Sequence, residues 1–228
     1  MNDVKILNKA VFACPLIVAN FGQANEDLNL NLCKDIKTEM LTEAYVERSG
    51  VNAWQSQSGM ETKYDSFSLL RDQLEKVLFS QLKNFGFADE DVMRENSIIS
   101  DLWANVIENS AGFHMPHTHS GGKNFFTGAY YPANIWGQKT VTDFEKLPNL
   151  KYGGADDGDL ILFDEMKTLK TINIPESKEL INKHGFYGAD ICVTPKESVL
   201  VAFPCYKQHM VIPRKDPRVS ISFSLHWK

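Results

Sequence analysis

Apolar residues recur at helical spacing through the first third of this chain and switch to alternation with polar residues through the second half. In residues 25–44, Leu28, Leu32, Ile36, Met40 and Leu41 fall close to one helical face. In residues 65–86, Leu69, Leu70, Leu74, Val77, Leu78 and Leu82 form a longer stripe, with Asp65 or Ser66 placed to cap it and Gly86 placed to end it. Nothing on these helices is chemically unusual, so the pattern predicts supports packed on the outside of a sheet. A short apolar run, 11–18, predicts an opening strand.

From about residue 98 the chain reads as short β-rich runs separated by Gly, Pro and Asp. The predicted strands are 98–107, 125–131, 159–163, 168–174, 191–194, 198–203, 209–212 and 219–227, a density that indicates a sandwich or barrel. The last is the clearest. Val219, Ile221, Phe223, Leu225 and Trp227 alternate with Arg218, Ser220, Ser222, Ser224 and His226, so one face packs on apolar side chains and the other lines a polar interior. The expected fold is therefore mostly β with flanking helices, one domain over 1–228, in which 1–96 gives mainly helical support and 97–228 the β core. Insertions are expected at 132–157 and 164–190. The first has no convincing periodicity and is a lid candidate, carrying Trp136, Phe144 and Tyr152; the second holds a short predicted helix, 176–183.

Composition narrows this picture by exclusion. A formal charge of −5 with no dense basic block argues against duplex nucleic acid as a partner. No run of eighteen apolar residues offers a membrane span, and the start, Met1-Asn2-Asp3-Val4-Lys5, has no secretory pattern, which makes the cytoplasm the default expectation. Cys14, Cys33, Cys192 and Cys205 show no CxxC spacing and are expected to be buried, unpaired thiols of a reducing compartment.

The candidate chemistry lies in the histidines. His117 and His119 are two apart, so in an extended strand both rings point the same way and reach one metal ion. His209 can join them from a neighbouring strand, and Arg218, nine positions on, brings a guanidinium fork suited to a carboxylate. Each histidine alone is as well explained by a polar loop or a hydrogen-bonded core position; convergence with Arg218 and Ser220 on one β interior is what favours a metal site. His184 is expected at a helix end, His226 too far along its strand, and His114 is separated from His117 by Met115 and Pro116 and is not expected in the site.

These residues are where the chain resembles the Fe(II)- and 2-oxoglutarate-dependent oxygenases, built on a double-stranded β-helix and close to the prolyl hydroxylases. His117-Thr118-His119 stands where that family has an HxD motif. Thr127 to Tyr131, Gly158 to Phe163, Val199 to Pro204, His209 and Arg218 to Phe223 follow in the family's order, and Ala53-Trp54-Gln55-Ser56 is similar to an upstream helical region. The resemblance implies Fe(II) held by His117, His119 and His209, no catalytic residue beyond these ligands, and dioxygen as co-reactant. It implies the distal carboxylate of 2-oxoglutarate on Arg218, assisted by Ser220 and Tyr131. Thr127, on the face of Tyr131, and Asn105, on the preceding strand, are further candidates for lining the cosubstrate pocket. The implied reaction is hydroxylation of a small molecule or peptide with release of succinate and carbon dioxide.

One departure is plain: position 119 is His where the family's triad has a carboxylate. Three neutral ligands leave the full charge on the metal and make it a stronger Lewis acid. A carboxylate from Asp159, Asp164 or Glu165 stays open as the alternative third ligand. Two rival functions also stay open: a three-histidine cupin-type dioxygenase that needs no 2-oxoglutarate, and a non-catalytic jelly-roll binding module.

Overall fold

The computed structural model of the chain describes residues 14–132, 150–152, 154–164 and 190–228. After β1 (Ile17–Asn20), α1 (Glu26–Thr42) buries Leu32, Cys33 and Ile36, while Leu41 at 88% exposure falls off the stripe. Two-residue strands β2 (Gly50–Val51) and β3 (Trp54–Gln55) and the single turn α2 (Met60–Lys63) lead into α3 (Asp65–Asn84). Leu70, Leu74, Leu78 and Leu82 of α3 are each 0% exposed, four residues apart as one helical face requires. Its end follows the glycine rule: Gly86 has φ +85, and the N–H groups of Gly86 and Phe87 bond the carbonyls of Lys83 and Leu82. The start does not follow expectation. The extended Tyr64 precedes the first turn with no side-chain cap, Asp65 sits inside that turn, and the Ser66 hydroxyl donates instead to Asp35 of α1.

The short helix α4 (Glu90–Asn96) is followed by β4 (Ser97–Ile107), β5 (Phe113–His117) and β6 (Asn124–Tyr131). Later come β7 (Leu150–Tyr152), β8 (Leu160–Leu162), β9 (Ile191–Val193), β10 (Val199–Pro204), β11 (His209–Val211) and β12 (Arg218–Trp227). They form two antiparallel six-stranded sheets, ordered β1-β10-β6-β12-β4-β3 and β2-β5-β11-β8-β9-β7. This is the jelly-roll arrangement of a double-stranded β-helix. Residues before position 97 supply β1, β2 and β3 as well as helices, so the N-terminal part does more than support.

Alternation along the strands separates two cores. Val219, Ile221, Phe223 and Leu225 of β12, with Leu200 and Ala202 of β10, pack on the leucines of α1 and α3. Facing the other sheet, Val199, Val201 and Phe203 of β10 meet Leu160, Leu162, Val193 and Val211. Gly128 of β6 is held where these layers are tightest: a Cβ there would lie 2.3 Å from the Val201 carbonyl oxygen and 2.8 Å from the Phe223 ring.

Several expectations need correction. The stretch 132–157 contains a strand, β7, which pairs with β9. The segment Ala53 to Ser56, similar to a helical region, holds β3, paired with β4. Cys14 is exposed; Cys33, Cys192 and Cys205 are buried. The predicted strand 168–174, the helix 176–183, His184, Glu165, Trp136 and Phe144 lie outside the described residues, as do residues 11–13 of the run 11–18, whose end enters β1; Tyr152 closes β7 opposite Ile191. Among the described residues no helix is long and apolar enough to cross a membrane.

Candidate metal centre

The centre begins with strand pairing. β11 lies beside β5, and His209 stands directly opposite His117, with ring centroids 4.3 Å apart. His119 follows the end of β5, where its N–H bonds the Cys205 carbonyl and its own carbonyl accepts from Asn124. This places its ring 5.1 Å from that of His209 and 5.0 Å from that of His117. Potential ligand atoms of the three imidazoles all lie within 4.8 Å of one another, a span one ion can fill. Phe203 packs edge-on to His209 at 4.8 Å, and Trp103 lies 5.5 Å from His119.

Two of these rings are fixed by their own backbone. Nδ1 of His117 donates to the Met115 carbonyl at 2.6 Å, and Nδ1 of His209 to the Lys207 carbonyl at 3.0 Å. That protonation leaves Nε2 as the lone pair on each. Desolvation pushes His209 down to about 3 and His119 to about 4, and also lowers His117. Neutral imidazoles at neutral pH are the form that binds a metal.

His114 corrects the sequence reading. Val211 pairs with His114 while His209 pairs with His117, so two steps along β11 match three along β5. The resulting bulge, at Met115 and the N–H-lacking Pro116, reverses side-chain parity and turns His114 to the same face as His117. It is 8% exposed, lines the same cavity, and shares Ser49 with its neighbour: the Ser49 hydroxyl is 3.2 Å from Nδ1 of His114 and 3.4 Å from Nε2 of His117. Burial pushes His114 down to about 3.

Arg218 opens β12 on the inner face of the opposite sheet and is 6% exposed. Its Nη1 donates to the Gly158 carbonyl at 2.7 Å and its Nη2 to the Tyr131 hydroxyl at 2.9 Å. Gly158 presents that carbonyl from a turn with φ +79, a conformation glycine adopts without strain. Burial lowers the Arg218 pKa, opposed by the Tyr131 oxygen and by Asp159, yet a guanidinium stays charged throughout the accessible range. Its Nε is buried and has no partner among the described residues, an unmet donor that an incoming carboxylate would satisfy.

The imidazoles and Arg218 face one cavity of about 500 Å³. Ser220, Tyr131, Thr127 and Asn105 line it too, with Thr127 donating to the Phe223 carbonyl at 2.7 Å and Asn105 to Ser222 at 3.0 Å. The carboxylates considered as alternative ligands do not enter the cluster among the described residues: Asp159 is 0% exposed and pairs with Lys151 at 2.9 Å, and the N–H of Asp164 bonds Asp190. His226 stands apart, 3.0 Å from Asp101. Ser49, Gln55 and Trp103 are cavity residues that sequence reading missed, since β2 and β3 are too short to carry a period and Trp103 was one apolar position within a long strand.

No protein-family model and no curated protein matches the sequence. Solved structures do. A prolyl-4-hydroxylase of Pseudomonas putida is 14% identical with a TM-score of 0.54, over 93% of this chain and 92% of that one. The viral collagen prolyl hydroxylase of Paramecium Bursaria Chlorella virus-1, solved as a 2OG complex, is 12% identical with a TM-score of 0.51, covering 92% and 94%. The non-heme alpha ketoglutarate dependent epimerase SnoN, from nogalamycin biosynthesis, is 10% identical with a TM-score of 0.56, covering 92% and 76%. At such identities the likeness is one of fold.

Proposed function

We propose that the protein is an Fe(II)- and 2-oxoglutarate-dependent oxygenase that hydroxylates a small molecule or peptide in the cytoplasm. The observation that carries this reading is the meeting, in one cavity, of three neutral imidazoles whose potential ligand atoms lie within 4.8 Å of one another and a buried guanidinium with an unmet donor. His117, His119 and His209 would hold the iron. When bound, Fe(II) and 2-oxoglutarate supply oxidative decarboxylation by dioxygen, giving succinate and carbon dioxide and placing one oxygen atom in a substrate C–H bond.

The chain's own contribution is orientation and exclusion of water. Arg218, held by Gly158 and Tyr131, offers fixed donors to the distal carboxylate, and Ser220 stands on the same inner face. Thr127 and Asn105 line the same cavity. A carboxylate clamp buried this deeply has no purpose in a dioxygenase that uses no dicarboxylate, nor in a binding module, and this favours the present reading over both rivals.

Anaerobic titration of Fe(II)-loaded protein with 2-oxoglutarate tests it. A visible charge-transfer band that grows to saturation, followed by succinate release on admitting oxygen, is the expected result. Absence of both, with iron bound, would overturn the assignment.

A further inference from the structure

The cavity continues past the imidazoles. On the inner face of β4 and β12, Arg218 is followed by the pairs Asn105 with Ser220, Trp103 with Ser222 and Asp101 with Ser224. Successive rows on one face of a strand are about 7 Å apart, so Asp101 lies on the order of 20 Å along the strip from Arg218. A five-carbon diacid reaching from Arg218 to the imidazoles leaves the outer rows open. Ser49, Arg48, Thr118 and Ser58 line the cavity as well.

Two groups of the cavity lining are unanswered. Arg48 is exposed, lines the cavity, and has no ion pair or hydrogen bond among the described residues. Its side chain lines the same cavity as His119 and His117. Asn105 is 3% exposed, its Nδ2 is committed to Ser222, and its Oδ1 is buried with no partner. The one carboxylate of the described cavity lining, Asp101, lies 3.0 Å from His226. With histidine at position 119, no carboxylate among the described residues joins the imidazole cluster at the centre of the cup, which favours an anion from outside.

Resting on the oxygenase reading, we propose that the substrate is a small amino or hydroxy carboxylic acid. Its carboxylate binds Arg48 at the mouth and its N–H or O–H donates to Oδ1 of Asn105, against the wall made by Trp103. An internal residue of a peptide has no free carboxylate and fits this subsite poorly.

The test is calorimetric titration of the full chain, loaded with redox-inert Zn(II) and 2-oxoglutarate, against short-chain α-amino and α-hydroxy acids. Each acid is paired with its primary amide and its unsubstituted parent acid. Expected are acids that bind at least about tenfold more tightly than their amides and than the parent acids, a gap that Arg48→Gln erases and Arg48→Lys partly keeps. Arg48 is exposed, so an unchanged melting curve checks that the variants fold. Amides that bind as well as acids, or a preference that survives in Arg48→Gln, would overturn the proposal. So would the failure of every acid while wild-type protein still takes up 2-oxoglutarate, an outcome that leaves the oxygenase reading standing. Failure of 2-oxoglutarate uptake itself would remove both.

Discussion

At the scale of single residues, Arg218 and His119 decide most. Replacing Arg218 by Met keeps bulk but leaves a carboxylate without its charged donors, so 2-oxoglutarate affinity should fall about a hundredfold, read by the same anaerobic titration. Tyr131 and Gly158 would keep their places, because each is also fixed by the sheet and turn it belongs to. His119→Asp should retain Co(II) uptake, since the carboxylate can serve as ligand, whereas His119→Ala should weaken it by about tenfold or more in equilibrium dialysis. Equal loss in both variants would argue that the histidine acts through packing on Trp103. Parity arguments made Arg218 legible from sequence, because β12 alternates without interruption. The same argument misled at His114: a bulge changes parity, and nothing in Phe113-His114-Met115-Pro116-His117 announces one beyond the proline.

At the scale of elements, Gly128 and Glu75 test how the sheet is held. Gly128→Ala would push a methyl group into the backbone of β10, and rigid neighbours on both sides should make it cost roughly 3 kcal/mol or more in a denaturant melt. Glu75 of α3 accepts the Ile99 N–H at 2.8 Å, tying helix to β4, and burial raises its pKa above the ordinary 4.5. A carboxyl with a raised folded pKa favours folding while protonated and loses that contribution as pH rises through the folded value. Glu75→Gln keeps the acceptor and removes the charge. It should therefore melt a little higher than wild type at pH 7, with the advantage vanishing below about pH 4.5. The long elements α1, α3, β4, β6, β10 and β12 could be read from periodicity to within a few residues. Strands β2, β3 and β7 could not, because two or three residues carry no period and their pairing is set by distant partners.

At the scale of the whole molecule, the fold is closed by one strand. β12 is bonded to β4 on one side and β6 on the other, and carries the helix-facing core on its outer face. Among the strands it is the latest in chain order and among the most central in its sheet. While the polypeptide is being made, β4 with β3 and β6 with β10 and β1 must wait as two separate ribbons with bare edges until residues 218–227 clear the ribosome. A chain ending at position 217 should accordingly be recovered in the aggregated fraction, and reappear in the soluble one when the missing segment is co-expressed as a separate peptide. Nascent copies would thus depend on chaperones until β12 emerges, and the guanidinium that anchors the cup arrives with the strand that ends that dependence.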